Sequence, residues 1–336
     1  MLVAPEIAAD CCGTEGVNAL QQGPWLPLRI ALARDVAEGI REFELRSAAG
    51  GELPEFTAGS HIAVRTPNAL ERKYSLCNNP QERDRYVIAV RREPNGRGGS
   101  ISLIADAHEG DEVLVSVPHN NFPLLKSPAG YLFIAGGIGI TPIMSMVRHL
   151  KSGDGTKFRL CYCTRSQAVT AFHEELTGPQ FRGQVTIHHD GGDPARMLDL
   201  WPFLEQPKGH VYCCGPRPMM EAVRDMTGHW SSSSVHFEAF TEPEKCTPND
   251  RAFRVRLARS GETVEVPVGT TILEAIRAAG HEAASSCESG TCGTCRTTLL
   301  AGEPDHRDLV LGEHERGSNI MICVSRARSD ELVIDR

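Results

Sequence analysis

The stretch SSCESGTCGTC, residues 285–295, decides the fold of the C-terminal part of the chain. Its three cysteines have the spacing C-x4-C-x2-C, and a fourth, Cys323, follows in the apolar run NIMICVSRA. Gly290 and Gly293 allow this loop backbone conformations and close approaches that a side chain would forbid. Cysteines grouped in this way hold zinc, form disulfides or carry electrons in an iron–sulfur cluster.

The spacing favours the third of these chemistries. Zinc sites usually combine two C-x2-C pairs, or one such pair with a distant pair of histidines. A C-x4-C-x2-C loop with one remote cysteine is instead typical of plant-type 2Fe-2S ferredoxins. We therefore predict a 2Fe-2S cluster whose ligands are Cys287, Cys292, Cys295 and Cys323.

The composition excludes several classes of function. With 40% hydrophobic and 23% charged residues in 336 positions, the chain has the composition of a soluble globular protein of about two or three domains. A formal net charge of -8 argues against nucleic-acid binding. No apolar run reaches the roughly 18 residues that a membrane helix needs, and the N-terminus lacks a secretory pattern. We expect a cytoplasmic monomer that binds neither membrane nor nucleic acid.

Hydrophobic patterning divides the chain into domains. After an irregular tail at 1–24, residues 25–122 contain short alternating runs separated by turns, which predicts an antiparallel β-barrel. In residues 123–240 apolar strands alternate with helices, which indicates a parallel α/β sheet. Residues 241–252 are polar and aperiodic, as in a linker. A hairpin, a capped helix and the cysteine loop predict a plant-type ferredoxin (β-grasp) domain over 253–336.

Two glycine turns follow apolar strands in the α/β domain. In GGIGITP, residues 136–142, Thr141 can cap the following helix, whose N-terminus would then face a pyrophosphate. A plain strand-to-helix turn is the alternative interpretation. The motif CCGP, residues 213–216, repeats the arrangement at a later strand end, where open α/β sheets bind ligands. Cys214 is either a core residue or a neighbour of a nicotinamide, and we favour the second.

Two motifs of the first domain together indicate a flavin. In RKYSL, residues 72–76, Arg72 can grip a phosphate, while Tyr74 can cover a ring face and Ser75 can bond the ring edge. In NGRGGSIS, residues 95–102, a short helix begins beside an arginine, which is a second phosphate-binding feature. Each of these residues taken alone is more often ordinary structure.

RKYS, GGIGITP, CCGP and the cysteine loop, in this order, resemble the ferredoxin reductase superfamily, and in particular its phthalate dioxygenase reductases. The resemblance extends over residues 26–336. It implies FMN rather than FAD, NADH as the electron donor, and a Rieske-type oxygenase as the acceptor.

The resemblance also assigns residues to each site. It implies that Phe240 stacks on the flavin and that Asp190 holds the adenosine ribose and repels a 2′-phosphate. The sequence alone favours a core or linker-anchor residue at 240 and a loop acid at 190. Lys73 stands where a smaller polar residue is typical of the family. The residues assigned to FMN are Arg72, Lys73, Tyr74, Ser75, Ala89, Val90, Arg91, Arg97, Gly98, Gly99, Ser100, Ile101, Ser102 and Phe240. Those assigned to NADH are Gly136, Gly137, Thr141, Asp190 and Cys214.

These assignments predict an electron-transfer enzyme. NADH gives electrons in pairs and a 2Fe-2S cluster takes them singly, so a flavin is needed between them. Ser75, near the flavin N5, and Cys214, near the nicotinamide, are the expected catalytic residues, and no general base is required. The implied acceptor is a terminal Rieske-type oxygenase of aromatic catabolism. An O-demethylase, a cytochrome P450 or a separate ferredoxin stays open as acceptor, and a non-enzymatic redox sensor is the alternative class.

Overall fold

The computed structural model describes residues 24–153, 155–240, 247 and 249–336. The predicted tail, apart from its last residue, and most of the predicted linker lie outside these residues. In the described residues, three sheets of five or six strands follow one another along the chain, and a two-stranded sheet accompanies the third. Within the part of the chain that the structure describes, no helix is long and apolar enough to cross a membrane.

The first sheet has six strands, and all of its pairs are antiparallel. Its elements are β1 (Leu26–Ala37), β2 (Ile40–Arg46), β3 (His61–Arg65), β4 (Glu71–Ser75), β5 (Tyr86–Arg91), α1 (Gly99–Asp106) and β6 (Glu112–Val115). The spatial order is β4-β3-β6-β1-β2-β5. Alternation along β2 buries Phe43 and Leu45 in a core shared with Ile62 and Ile88.

The two edges of this sheet approach each other without a continuous ladder. A single bridge joins Leu76 to Ile88, and the Cys77 N–H donates to the Val87 carbonyl at 2.8 Å. The predicted antiparallel domain is therefore confirmed, whereas these pairings do not show a closed barrel.

The second sheet is parallel and has helices in its crossover connections, as predicted. Its elements are β7 (Tyr131–Gly136), α2 (Ile140–Ser152), β8 (Phe158–Thr164), α3 (His173–Thr177), β9 (Val185–His189), α4 (Trp201–Leu204), β10 (His210–Cys214), α5 (Arg217–Met226) and β11 (Val235–Glu238). The order is β11-β10-β7-β8-β9, so the direction of winding reverses between β7 and its neighbour β10. Ligands of open α/β sheets bind at such a switch point.

The third sheet is mixed, because β12 and β18 run parallel while the other pairs are antiparallel. Its domain comprises β12 (Phe253–Leu257), β13 (Thr263–Val266), α6 (Ile272–Ala278), β14 (Arg296–Ala301), β15 (Pro304–Asp305), α7 (Glu313–Arg316), β16 (Asn319–Met321), β17 (Arg326–Ala327) and β18 (Glu331–Ile334). The helix α6 begins with a capping box, in which the Thr271 hydroxyl accepts from the Glu274 N–H at 3.1 Å. Each sheet lies within one predicted domain, and the domain boundaries stay a prediction.

Candidate electron-transfer site

The two glycine motifs of the parallel sheet pack backbone against backbone at the switch point. A Cβ on Gly136 would lie 2.6 Å from the Pro216 Cδ, and one on Gly139 would lie 2.2 Å from the Cys214 carbonyl oxygen. Neither distance is compatible with a side chain, so the contact between the turns requires both glycines. Gly137 has φ +54° and open space beside it, which leaves that side of the turn accessible to a ligand.

The start of α2 differs from the sequence prediction. Thr141 does not cap the helix, because α2 begins at Ile140 after a single 3-10 turn over Gly137–Gly139. The Thr141 hydroxyl lies inside the first turn and donates to the Ile138 carbonyl at 3.0 Å. No side chain caps this N-terminus, so its backbone N–H groups are the donors that a phosphate would meet.

Cys214 and Glu238 end the neighbouring strands β10 and β11. Cys214 is fully buried, and burial, together with the nearby Glu238 carboxyl, raises the pKa of its thiol well above the usual range. Burial also raises the pKa of Glu238 to about 8. Both groups are therefore largely neutral at neutral pH. The sequence analysis missed Glu238, whose only signal was an acid at the end of an apolar strand.

Polar atoms without partners gather at the end of β4. Within the described residues, the buried Arg72 Nη2, Tyr74 Oη and Ser75 Oγ have no hydrogen-bond partner. A Cβ on Gly99, at the start of α1, would lie 2.8 Å from the Arg72 Cγ, so the helix N-terminus and the arginine are adjacent. Buried donors without partners indicate a missing polar ligand. An arginine beside a helix start fits a phosphate, and the two hydroxyls fit the edge of a polar ring, which together match FMN.

The other residues assigned to FMN differ in whether their side chains already contact the protein and in how far they are exposed. The Ser100 hydroxyl accepts from the Glu93 N–H at 3.1 Å, and the Ser102 hydroxyl accepts from the Asn68 N–H at 3.1 Å, so local structure already engages both. Arg91 forms an ion pair with Glu93. Side-chain contacts with FMN at these three positions therefore compete with protein contacts. Lys73, Arg97, Gly98 and Ile101 are at least partly exposed, whereas Ala89 and Val90 are buried in β5.

Asp190 follows β9, at the carboxyl edge of the parallel sheet. Its carboxylate accepts from the Gly192 N–H at 2.7 Å, which fixes the turn. Two arginines that the sequence analysis missed flank this turn: a Cβ on Gly191 would lie 3.3 Å from the Arg196 Nη1, and one on Gly192 would lie 3.7 Å from the Arg165 Cδ. The predicted ribose site thus carries one carboxylate and two guanidinium groups.

The four predicted cluster ligands are free thiols that form two neighbouring pairs. A hydrogen bond from Cys292 lowers the pKa of Cys287, and a hydrogen bond from Cys323 lowers the pKa of Cys295. Among the described residues, no three His, Cys, Asp or Glu side chains converge closely enough for one metal ion. Two separate thiol pairs fit a two-iron cluster better than a single zinc.

The predicted loop geometry around these thiols is present. Gly290 has φ +73° and Gly293 has φ +81°, values that favour glycine. Glu288 also has a positive φ, +51°, which is uncommon for a residue with a side chain. The backbone N–H of Ser289 donates to the Cys287 sulfur at 3.4 Å, so the loop already directs an amide toward a ligand sulfur.

A cavity of about 430 Å³ joins the three domains. The antiparallel sheet contributes Arg72 and Ser75, and the last strand of the parallel sheet leads into Glu238 and Phe240. The ferredoxin-like domain contributes, among others, Cys287 and Cys323. Phe240 lines this cavity and is 47% exposed, so its side chain is open to a ligand bound there.

The fold and the site define an oxidoreductase that joins a dinucleotide-binding domain to an iron–sulfur electron carrier. Residues 133–225 match the oxidoreductase NAD-binding domain family, and residues 255–328 match the 2Fe-2S iron-sulfur cluster binding domain family.

Relatives of known function extend over almost the whole chain. The phthalate 4,5-dioxygenase oxygenase reductase subunit of Pseudomonas putida is 52% identical over 310 residues, which are 92% of this chain and 96% of that protein. The phthalate dioxygenase reductase of Burkholderia cepacia is 52% identical over 317 residues, 94% of this chain and 98% of that protein. A solved structure of phthalate dioxygenase reductase, described as a modular structure for electron transfer from pyridine nucleotides to [2Fe-2S], is 51% identical. It matches with a TM-score of 0.65 over 93% of this chain and 98% of the other. The chain belongs to the phthalate dioxygenase reductase family.

Proposed function

We propose that this chain is the NADH-dependent reductase component of a Rieske-type aromatic-ring oxygenase and passes electrons through FMN and a 2Fe-2S cluster. The observation that carries the proposal is the shared cavity, in which predicted flavin ligands, the end of the dinucleotide domain and two cluster ligands face one another. A site built from all three domains suits electron transfer between cofactors, which requires them to be close.

Each part of the chain has a defined task in this proposal. Bound FMN supplies the conversion of an electron pair into single electrons. Arg72 and the start of α1 hold the phosphate of the flavin, while Tyr74 and Ser75 orient its ring. Gly137 and the uncapped start of α2 receive the pyrophosphate of NADH, and Asp190 holds its adenosine ribose. Cys214 would pack beside the nicotinamide as a neutral thiol and so would add no charge to that end of the site.

The first experiment tests the order of the cofactors. The protein is purified anaerobically, and its absorption spectrum is expected to contain flavin and iron–sulfur bands. The variant Cys292→Ser is expected to lose nearly all NADH-dependent reduction of cytochrome c but to keep NADH-dependent reduction of ferricyanide by the flavin. Cys163→Ser, which changes a half-buried thiol outside the cysteine loop, is the matched control. Unchanged cytochrome c reduction in Cys292→Ser would contradict the proposal.

The second experiment identifies the acceptor. The holoprotein is mixed in turn with a Rieske-type ring oxygenase, an O-demethylase, a cytochrome P450 and a separate ferredoxin, and NADH-coupled substrate turnover or ferredoxin reduction is followed. We expect turnover with the ring oxygenase. Coupling to one of the other three acceptors alone would contradict the proposed Rieske-type acceptor and identify that protein as the partner. Size-exclusion chromatography of the holoprotein tests the proposed monomer.

A further inference from the structure

Arg307 lies between the end of the linker and the cysteine loop. Its guanidinium binds Asp250 in bidentate fashion, with 2.5 Å from Nη2 to Oδ1 and 3.1 Å from Nη1 to Oδ2. Its Nε donates to Asp305 at 2.8 Å. The Asp250 side chain is only 3% exposed, and the arginine strongly lowers its pKa. A bidentate pair with so little exposure holds its position more firmly than an exposed ion pair would.

The same segment contacts the dinucleotide-binding domain. Arg217, the first residue of α5, donates from Nη2 to the Arg307 carbonyl at 2.8 Å. Leu309 is 3% exposed and belongs to a buried cluster whose other members, such as Met219 and Trp230, all come from the dinucleotide-binding domain. One side chain of the ferredoxin-like domain is thus part of the core of its neighbour.

A third contact reaches the cysteine loop itself. The Leu309 N–H donates to the Gly290 carbonyl at 3.0 Å. A Cβ on Gly290 would lie 2.7 Å from the Val324 Cγ2 and 3.2 Å from the Asp308 Cα, so the loop and residues 307–309 are in close contact. Because Gly290 lies between Cys287 and Cys292, a displacement of residues 307–309 displaces the cluster ligands.

We infer that Arg307 and Leu309 are positioning residues that set the distance between the flavin site and the cluster; this inference rests on the proposed function. Domains joined by a linker move relative to one another unless their interface is large or specifically fixed. Here residues 307–309 fix the cluster loop to the dinucleotide-binding domain. The Ser286 hydroxyl also donates to the Asn121 Oδ1 at 2.5 Å and fixes the loop to the segment that follows the antiparallel sheet. Enzymatic rates depend on how closely reacting groups are positioned, and electron transfer between two cofactors likewise slows as they move apart.

The test separates the two internal electron-transfer steps. Anaerobic holoprotein is mixed with NADH in a stopped-flow instrument, and flavin bleaching and cluster bleaching are followed at separate wavelengths. We expect Arg307→Gln to leave the rate of flavin reduction within about twofold of the wild type and to slow cluster reduction several-fold, well beyond that margin. The matched control is Arg259→Gln, which breaks an exposed bidentate pair with Asp335 inside the ferredoxin-like domain.

A second readout does not depend on activity. Hydrogen exchange of peptides over residues 286–293 is expected to accelerate in Arg307→Gln and to stay at the wild-type rate in Arg259→Gln. Visible circular dichroism of the cluster checks that the domain has folded. If Arg307→Gln loses that signal, Arg217→Gln is the variant that decides. It removes the cross-domain hydrogen bond and an ion pair with Glu221 within α5, and it changes no residue of the ferredoxin-like domain.

Two outcomes overturn the inference. The first is cluster reduction in Arg307→Gln, or in Arg217→Gln if Arg307→Gln does not fold, at the same rate as in Arg259→Gln. The second is an unchanged rate of hydrogen exchange in residues 286–293 of that variant. A failure of the proposed function has a different signature, since wild-type protein would then show no bleaching of flavin or cluster by NADH.

Discussion

Asp190 lies in a turn that also brings two arginine side chains close to its carboxylate. Its carboxylate holds the turn at Gly192, while the Arg165 and Arg196 side chains lie against that turn. Neither guanidinium forms an ion pair within the described residues. The sequence predicted the carboxylate through a family resemblance, but the arginines lie 25 positions before it and six after it, at spacings that indicate no shared site. The parallel pairing of β8 with β9 brings Arg165 beside this turn, and the loop after β9 folds Arg196 back onto it.

We predict that Asp190→Ser relaxes the preference for NADH. Without the carboxylate, the two arginines would face the 2′-phosphate of NADPH with no negative neighbour. The ratio of kcat/KM for NADH to that for NADPH is expected to fall about tenfold or more, which corresponds to about 1.4 kcal/mol of differential binding. Cytochrome c reduction at varied dinucleotide concentration measures the ratio.

Asp193→Ser is the matched control for this prediction, because Asp193 caps the next turn of the same loop by accepting from the Ala195 N–H at 2.9 Å. If both variants changed the ratio equally, loop distortion rather than the charge of Asp190 would be the cause.

At the scale of elements, the sequence allowed the parallel sheet, the glycine turns and the capping box of α6 to be predicted, because each depends on neighbouring residues. It did not locate the start of α2, since a 3-10 turn and an α-helical turn differ in hydrogen bonding rather than in residue pattern. It also gave no reason for Gly139. That glycine is needed because the turn after β10 crosses the turn after β7, which is a contact between elements more than 70 residues apart.

Gly139→Ala tests the packing of these two turns. The added Cβ meets backbone rather than a flexible side chain, so the turns must separate, at a cost of about 1–3 kcal/mol. We expect a lower melting temperature and a raised KM for NADH. Gly228→Ala, at a position whose Cβ would have only ordinary contact at 3.6 Å, should change neither quantity. Equal behaviour of the two variants would rule out the close crossing of the turns.

At the scale of the whole molecule, the position of the three domains was beyond sequence reasoning. Motif spacing identified the cysteine loop and the flavin motif separately, yet no pattern says that Cys287 and Arg72 line one cavity. That arrangement depends on surfaces contributed by distant segments, such as Asn121 and Ser286. His61, at the start of β3, lies at this junction and lines both the shared cavity and a second one between the antiparallel sheet and the ferredoxin-like domain.

We predict that His61, at this junction, makes the folded protein less stable in mild acid. Burial, with smaller effects of Lys73 and His119, lowers the pKa of His61 to about 4 from 6.5. Above pH 6.5 the His61 imidazole is neutral in both the folded and the unfolded protein, so it does not change the free energy of unfolding with pH. As the pH falls below 6.5 toward 4, the unfolded chain gains a proton that the folded protein does not, so the free energy of unfolding falls, by about 2 kcal/mol at pH 5.

Melting temperatures between pH 7 and pH 5 measure this effect. They are expected to drop more in the wild type than in His61→Gln, whose side chain does not titrate. His108→Gln, which changes an exposed histidine of the same domain, should retain the wild-type drop. Parallel curves for the wild type and His61→Gln would assign the acid sensitivity to other groups.

The contacts of residues 307–309 have a further consequence for kinetics at low protein concentration. Because the electron donor site and the cluster belong to one chain and are held together, their encounter is intramolecular and has a fixed effective concentration. Dilution should therefore leave the rate of cluster reduction per molecule unchanged. Only the collision with the acceptor protein is bimolecular, so its rate should fall on dilution in proportion to the concentrations of both proteins.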